Sequence, residues 1–318
     1  MFIDEITLEN LQKIPCTSVF SSFEWLNIYD KKKLTLLGIF DSNKKLKGYF
    51  FHYNQKQLTI FNHITLPPFS PHNGLIIHDD TQNKANKLSF QKKLMALIAD
   101  YYNKSNASII TLAFPQEFTD MQTFTWKKFK VIPFYTYNID LKKSESELNN
   151  NISPKTRNLI KKAIKDELVA EITNDFSIIE QIVIKSMERN RVEIDNNLLK
   201  RILFFYANKS NSFSFVIKAN RIPIAATFCV FDNTKCYYLL GGYDENNAHS
   251  GAGPLAVWCS ILEAKKLNLS IFDFEGSMIE PIESYFRSFG GDLIPYFTIN
   301  KGTILTETLL KFKKRGQF

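Results

Sequence analysis

Ile271–Gly291 reads IFDFEGSMIEPIESYFRSFGG. Its first four residues, Ile271-Phe272-Asp273-Phe274, form a short apolar run with the length and residue types of a buried strand. The run breaks at Gly276-Ser277, so Asp273, Glu275 and Ser277 fall near the carboxyl end of that strand, where α/β sheets gather their ligands. A loop or short helix containing Pro281 follows, then Phe286-Arg287-Ser288-Phe289, the glycine pair, and a second strand at Leu293–Asn300.

Working outward, a helix at Pro254–Leu267 leads into this strand, and the same order occurs earlier in the chain. Phe90–Asn103 has helical periodicity through Leu94, Leu97, Ile98 and Tyr101. Ser108–Ala113 is a strand, Trp126–Phe129 stands where Phe286–Phe289 stands, and Ile132-Pro133-Phe134-Tyr135-Thr136 echoes Ile294-Pro295-Tyr296-Phe297-Thr298. The offset is about 162 residues from Ser108 to Ser270, and again from Ile132 to Ile294. A single match is cheap, whereas one offset at both ends of a helix–strand–loop–strand unit implies a tandem duplication of one α/β module. The polar run Lys142–Asn151 (KKSESELNNN) marks the boundary, giving modules at 1–142 and 143–318. The fold class is therefore α/β (α+β): two tandem modules with mixed central sheets.

The first module is expected to open with a short helix, followed by Ser21-Ser22-Phe23-Glu24-Trp25-Leu26. Leu34–Phe40 is a strand, and Leu46–Tyr53 and Gln57–Phe61 read as hairpin strands. Leu66–Gly74 (LPPFSPHNG) is either a cleft-lining loop or an ordinary connection. In the second module, Ser153-Pro154 supplies an N-cap and first-turn proline for a helix at Lys155–Leu168. Leu159, Ile160, Ala163 and Ile164 share its apolar side, and Lys155, Lys161, Lys162 and Lys165 the other. Phe176–Arg191 and Asn197–Asn208 look helical. Ser212–Lys218, Ile224–Phe231 and Lys235–Tyr243 form an antiparallel trio leading into the helix at Pro254.

Composition bounds the function. The chain has 318 residues, 44% of them hydrophobic, enough for two ordinary cores. A net charge of +8 suits anionic partners or is simply a lysine-rich surface. Cys16, Cys229, Cys236 and Cys259 show no paired spacing, and three lie in apolar runs, which reads as buried thiols in a reducing compartment. MFIDEITLENLQ is no signal peptide, and no apolar run is long enough to span a bilayer, so a cytoplasmic protein is expected. The five histidines lack metal spacing, so no metal is expected, and there is no Gly-x-Ser-x-Gly elbow or P-loop.

The order of strand, Asp273-Phe274-x-Gly276-Ser277, a spacer, Phe286-Arg287-Ser288-Phe289 and glycine resembles the C-terminal signature of the Fem-type peptidoglycan aminoacyltransferases. It resembles equally that of their relatives, the Fem-like acetyltransferases. Both belong to the GNAT superfamily of N-acyltransferases. The segment SSFEWL and the pattern Lys155-x-Arg157-x-x-Ile160-x-Lys162-Ala163-x-Lys165 are further Fem-like features, and Fem proteins are likewise built from two GNAT modules. The resemblance implies two tandem GNAT-like acyl-CoA N-acyltransferase modules, with the active cleft mainly in the second or between the two, and a C-terminal tail that returns to the first. It implies transfer of an acyl group, acetyl from acetyl-CoA or from another acyl-CoA in the first reading, to an amine of a small or nucleotide-linked cell-envelope or sugar precursor. Aminoacyl-tRNA is the alternative donor, which would make tRNA a partner. A catalytically degenerate precursor-binding protein is the second alternative.

An amine attacking a thioester or ester must lose a proton, and the oxyanion needs donors. Glu275 is the first candidate for the base and Asp273 the second, since burial at a strand end raises a carboxylate's pKa toward neutrality. The alternative for either acid is a structural cap on the turn. Fem enzymes usually carry Phe-Lys where this chain has Phe286-Arg287. Arginine stabilises charge but does not shuttle protons, so Arg287 is the candidate charge stabiliser and Phe286 a wall. Tyr243, Ser277 and Tyr285 are candidate proton donors or substrate contacts. Lys155 and Arg157, near the start of a basic helix, would meet the phosphates of a precursor or of tRNA, or form a solvated face. His249-Ser250-Gly251-Ala252-Gly253 links a strand to a helix where GNAT enzymes bind CoA through Gln/Arg-x-x-Gly-x-Gly/Ala. Here the leading position is Ala248, and Pro254 removes one N–H. The alternative is a helix start whose glycines only relieve crowding.

Overall fold

In the computed structural model, which describes all residues except 13, 17, 58–59, 79–80 and 314–318, the chain forms two units: Met1–Phe134 with Pro295–Phe318, and Tyr135–Ile294. In chain order the first contains β1 (Phe2–Ile6), α1 (Leu8–Leu11), α2 (Phe23–Leu26), β2 (Leu34–Phe40), β3 (Leu46–Gln57), β4 (Phe61–Thr65), β5 (Leu75–Ile77), α3 (Lys84–Asn103), β6 (Ile109–Ala113), α4 (Gln122–Trp126) and the start of β7 (Lys130–Asp140). The second contains the rest of β7, α5 (Glu145–Asn151), α6 (Pro154–Lys165), β8 (Val169–Ile172), α7 (Phe176–Arg189), α8 (Asn196–Arg201), β9 (Ser212–Ala219), β10 (Ile222–Phe231), β11 (Lys235–Tyr243), α9 (Ala252–Lys266), β12 (Ile271–Asp273) and α10 (Glu280–Arg287). β13 (Asp292–Gly302) begins there and ends in the first unit, which α11 (Ile304–Lys313) completes.

The second unit's sheet runs β7-β12-β11-β10-β9-β8. β11 and β12 are parallel, as a strand–helix–strand crossover through α9 requires, and the other neighbours are antiparallel. α9 buries Leu255, Ala256, Val257, Ile261 and Ala264 with Phe215, Ile217 and Phe272 of the sheet. Helix α6 adds Ile160 and Ala163 to this core. Ile164, expected on its apolar side, is 60% exposed, because the stripe facing the core is narrowed to Thr156, Ile160 and Ala163.

The first unit repeats the plan. Its sheet runs β1-β2-β3-β4-β6 and on to β13, with β5 on β3. β4 and β6 are parallel around α3, whose Leu94, Ile98 and Tyr102 follow helical spacing into the core with Phe50, Leu112, Phe114 and Phe124. The repeat places β6 where β12 stands and β7 where β13 stands, at the offset read from the sequence. Each repeat's last strand completes the other unit's sheet: β6 pairs with β13, Thr298 opposite Ala113, and β12 with β7, Phe272 opposite Ile139.

Three expectations differ. The N-terminus is a strand before it is a helix: Phe2–Ile6 pairs with β2 along its length. The run Lys142–Asn151 contains α5, because Ser144 and Glu147 form a reciprocal capping box. Cys229 and Cys236 are fully buried, whereas Cys16 and Cys259 keep partial exposure. The loop Leu66–Gly74 is stitched to SSFEWL: Trp25 Nε1 donates to Ser70 Oγ (2.9 Å) and Tyr29 hydroxyl to Pro68 O (2.7 Å). No described helix is long and apolar enough to cross a membrane.

Candidate active site

Strand β12 ends at Asp273, one residue earlier than the apolar run suggests, and the chain then turns against β7. Phe274 N donates to Tyr137 O (3.1 Å) and Ser277 N to Tyr135 O (2.8 Å), with Ser277 Oγ on the same carbonyl (3.0 Å). Asp273 is buried. Its Oδ1 accepts from Thr136 Oγ1 and from Glu275 N, both at 2.8 Å. That carboxylate therefore builds the turn.

Glu275 occupies the turn in a left-handed conformation (φ 61°), which costs a non-glycine residue about 1 kcal/mol or more and is concentrated at functional sites. Part of the residue reaches the surface, but its Oε1 is sealed from solvent and has no hydrogen-bond partner. Burial pushes its pKa well above the usual carboxylate range, and the neighbouring Asp273 and Cys229 push it the same way. A strained carboxyl with one unpartnered oxygen and a raised pKa holds its proton more tightly than an ordinary carboxylate, as a group that exchanges protons with substrate requires.

Aromatic rings wall the turn. Phe286 of α10 stacks on Phe274 (centroids 4.5 Å apart), and Tyr238 and Phe289 pack on Phe274 at 5.9 and 5.8 Å. Tyr285 lies edge-on to Phe289 (5.3 Å). Burial raises the pKa of Tyr285 and Tyr238, so both phenols stay protonated as donors. A Cβ built on Gly253 would lie 3.4 Å from the Tyr285 hydroxyl, so this phenol stands over the first turn of α9.

Arg287 is 64% exposed and its Nε pairs with Glu283 Oε1 at 2.9 Å. Glu283 also accepts from the Tyr137 hydroxyl (2.7 Å). That hydrogen bond, followed by Arg287, holds the Glu283 carboxyl below its usual range against some desolvation, while burial and Glu283 raise Tyr137. Arg287 is thus tethered along the outer face of α10.

At the start of α9, His249 Nδ1 accepts from Gly251 N (3.1 Å), leaving Nε2 to meet Asp166 Oδ2 at the end of α6 (3.1 Å). A Cβ on Gly251 would sit 2.2 Å from Leu159 O and 2.8 Å from Ala163 Cβ, so the α6–α9 approach demands glycine there. Ala252 N donates to His249 O (3.0 Å), and Ser250 is exposed. Pro254 has no N–H, and Gly253 lies in the first turn of α9, where a backbone amide has no partner within the helix.

The start of α6 meets the end of α10: Ser153 N donates to Ser288 O and Thr156 Oγ1 to Ser288 Oγ, both at 2.8 Å. This sets exposed Lys155 and half-buried Arg157 on the helix next to the Phe286-Arg287 segment. Tyr243 is engaged elsewhere, with Arg189 4.0 Å over its ring and donating to its carbonyl. The structure thus gathers Asp273, Glu275, Ser277, Phe286, Tyr285 and Gly253, and leaves Tyr243 apart. Sequence reasoning missed Thr136, Tyr137, Tyr238 and Glu283. The first two come from the opposite repeat, with no local motif, while Glu283 was visible as the acid four residues before Arg287. Among the described residues no group of three or more His, Cys, Asp or Glu is placed to hold a metal ion.

Residues 206–286 match the family model described as an acetyltransferase (GNAT) domain. No curated protein matches the chain. Among solved structures, FemX is similar over 98% of this chain and 99% of its own, with a TM-score of 0.68 and 11% identity. L-PGS from Bacillus licheniformis is similar over 96% and 94%, with a TM-score of 0.59 and 10% identity. A tandem GNAT protein from the clavulanic acid biosynthesis pathway is similar over 94% and 97%, with a TM-score of 0.56 and 8% identity. Residues 206–286 of the second unit therefore match a GNAT-type acyltransferase domain, and the whole chain has the Fem-like tandem GNAT fold.

Proposed function

We propose that this chain is an N-acyltransferase that uses Glu275 to deprotonate the attacking amine, directly or through one water. The observation that carries the reading is the buried, unpartnered Glu275 Oε1 held on a left-handed turn at the carboxyl end of β12. The amine nitrogen would bond to the acyl carbon as the proton passes to Glu275. The bond from that carbon to the donor's sulfur or oxygen then breaks, and Tyr285, kept protonated by burial, would protonate the leaving group.

For the donor, acyl-CoA, and acetyl-CoA first, is supported by the start of α9, where the Gly253 amide, the helix dipole and the Tyr285 hydroxyl converge. Aminoacyl-tRNA is the second reading. It is favoured by the Gly251 amide being already taken by His249 and by the exposed lysines of α6. The acceptor that fits the Fem resemblance is an amine of a small or nucleotide-linked envelope or sugar precursor, with Lys155 and Arg157 toward its phosphates. Four free cysteines suit a cytoplasmic setting. The two modules, 1–142 and 143–318 by repeat, would act as one enzyme.

Thermal melting with CoA, acetyl-CoA, a longer acyl-CoA and a UDP-linked peptidoglycan precursor tests the reading, since a ligand that binds only the folded state raises the melting temperature. An acyl-CoA shift supports the first donor. A precursor shift alone calls for a charged-tRNA transfer assay, and failure of that assay as well leaves a binding protein that has lost catalysis. Arg287→Ala is expected to lower kcat several-fold with little change in donor affinity. A pure affinity loss would make Arg287 a binding residue.

A further inference from the structure

One surface feature lies outside this chemistry. After α8 the chain makes a five-residue π-turn, Ile202–Tyr206. Such turns are rare and concentrate at functional positions. Ile202, Leu203 and Tyr206 are buried beneath it, while Phe204 and Phe205 are 47% and 82% exposed. The platform is firmly built: Ala207 N donates to Ile202 O (3.0 Å), and Asn208 and Asn211 both donate to Tyr206 O (3.2 and 2.9 Å). Phe204 leans edge-on to Phe176 (6.3 Å), whereas Phe205 projects outward. The segment Asn196–Ser210 carries Lys200, Arg201 and Lys209, and the acid just before it, Asp195, is occupied in capping α8. All three cations are exposed, Lys200 with Glu180 at 3.8 Å.

We propose that the Phe204–Phe205 turn is an interfacial anchor that docks this protein on an anionic phospholipid surface, the rings entering the acyl boundary and the cations meeting the headgroups. An aromatic ring backed by lysine and arginine suits that interface, where one end of the contact is apolar and the other wet and negative. A second copy of the chain fits less well. In a two-fold contact the same cationic patch would face itself. Two rings also offer only a few hundred Å², against roughly 800 Å² per partner in a stable interface.

The test is flotation of the full chain with vesicles of neutral phosphatidylcholine and of the same lipid with about a third phosphatidylglycerol. The wild type is expected to float with anionic vesicles, more weakly as salt rises, and not with neutral ones. Phe205→Ser should lose at least tenfold in affinity while keeping the wild-type melting temperature. Lys200→Ala with Lys209→Ala should weaken binding and flatten the salt dependence. Equal binding by Phe205→Ser, no binding by the wild type, or equal binding to neutral vesicles overturns the proposal. So does a concentration-dependent dimer in sedimentation that Phe205→Ser abolishes without any vesicle binding. No outcome depends on the acyl-transfer reading.

Discussion

Glu275→Gln is expected to lower kcat for acyl transfer by about 10²- to 10⁴-fold, the usual worth of a positioned general base. The substitution keeps the shape and removes only the ability to take a proton. Because the left-handed turn and the hydrogen bond to Asp273 Oδ1 use only the backbone of Glu275, the variant should fold normally and bind donor as the wild type does. Steady-state kinetics with the donor found by thermal shift checks this, and full retained turnover would remove Glu275 from the mechanism.

The same variant makes a second, independent prediction about stability. Burial raises the Glu275 pKa in the folded state, so folding favours the protonated acid. Below the unfolded value of about 4.3 the group is protonated in both states and the preference is fully satisfied. As pH rises from there toward the raised folded value, the unfolded chain gives up the proton more readily, and stability falls by at most about 1.4 kcal/mol per pH unit. Glutamine has no such dependence. The melting temperature of Glu275→Gln relative to wild type should therefore climb as pH rises above about 4.3. The wild-type kcat should rise over the range where Glu275 loses its proton, a limb that the variant lacks.

Much of this architecture is legible in the sequence because the repeat is. Strands β6 and β12, and likewise β7 and β13, begin at equivalent positions, and apolar runs such as Ile109–Ala113 and Ile271–Phe274 mark buried strands wherever they pair. Pairing itself is not legible. Nothing local in Tyr135–Asp140 says that it lies beside β12 of the other repeat, because strand alternation specifies a face and not a neighbour. That is why Thr136 and Tyr137, which hold Asp273 and the Phe274 amide, escaped notice while Asp273, Glu275 and Ser277 did not. Helix α5 was hidden by its three asparagines, although the Ser144–Glu147 box announces it. Ile164 illustrates the converse: helical spacing placed it on the apolar stripe, and the real contact was one residue narrower.

If the donor sits at the start of α9, as proposed, alanine at its two glycines should fail differently. Gly251 has φ −93°, a conformation that alanine adopts freely, so its substitution meets only sterics. A Cβ would lie 2.2 Å from the backbone oxygen of Leu159 and 2.8 Å from Ala163 Cβ. Neither can swing away, because both belong to α6, and α6 is itself fixed by Ser288 at its start and by His249 on Asp166 at its end. Gly251→Ala must push the two helices apart, an overpacking expected to cost about 1–3 kcal/mol and several degrees of melting temperature. Gly253→Ala meets only the end of the Tyr285 side chain, at ordinary contact distance, and should melt with the wild type. Its methyl would nonetheless fill the space between the first-turn amide and the phenol, so donor affinity should fall at least tenfold if a phosphate or thioester sits there. Melting curves and donor titrations on the pair decide it. An unstable Gly251→Ala with a donor-deficient Gly253→Ala assigns packing to one glycine and binding to the other. Undiminished donor binding by Gly253→Ala would move the donor away from α9 and toward the basic face of α6.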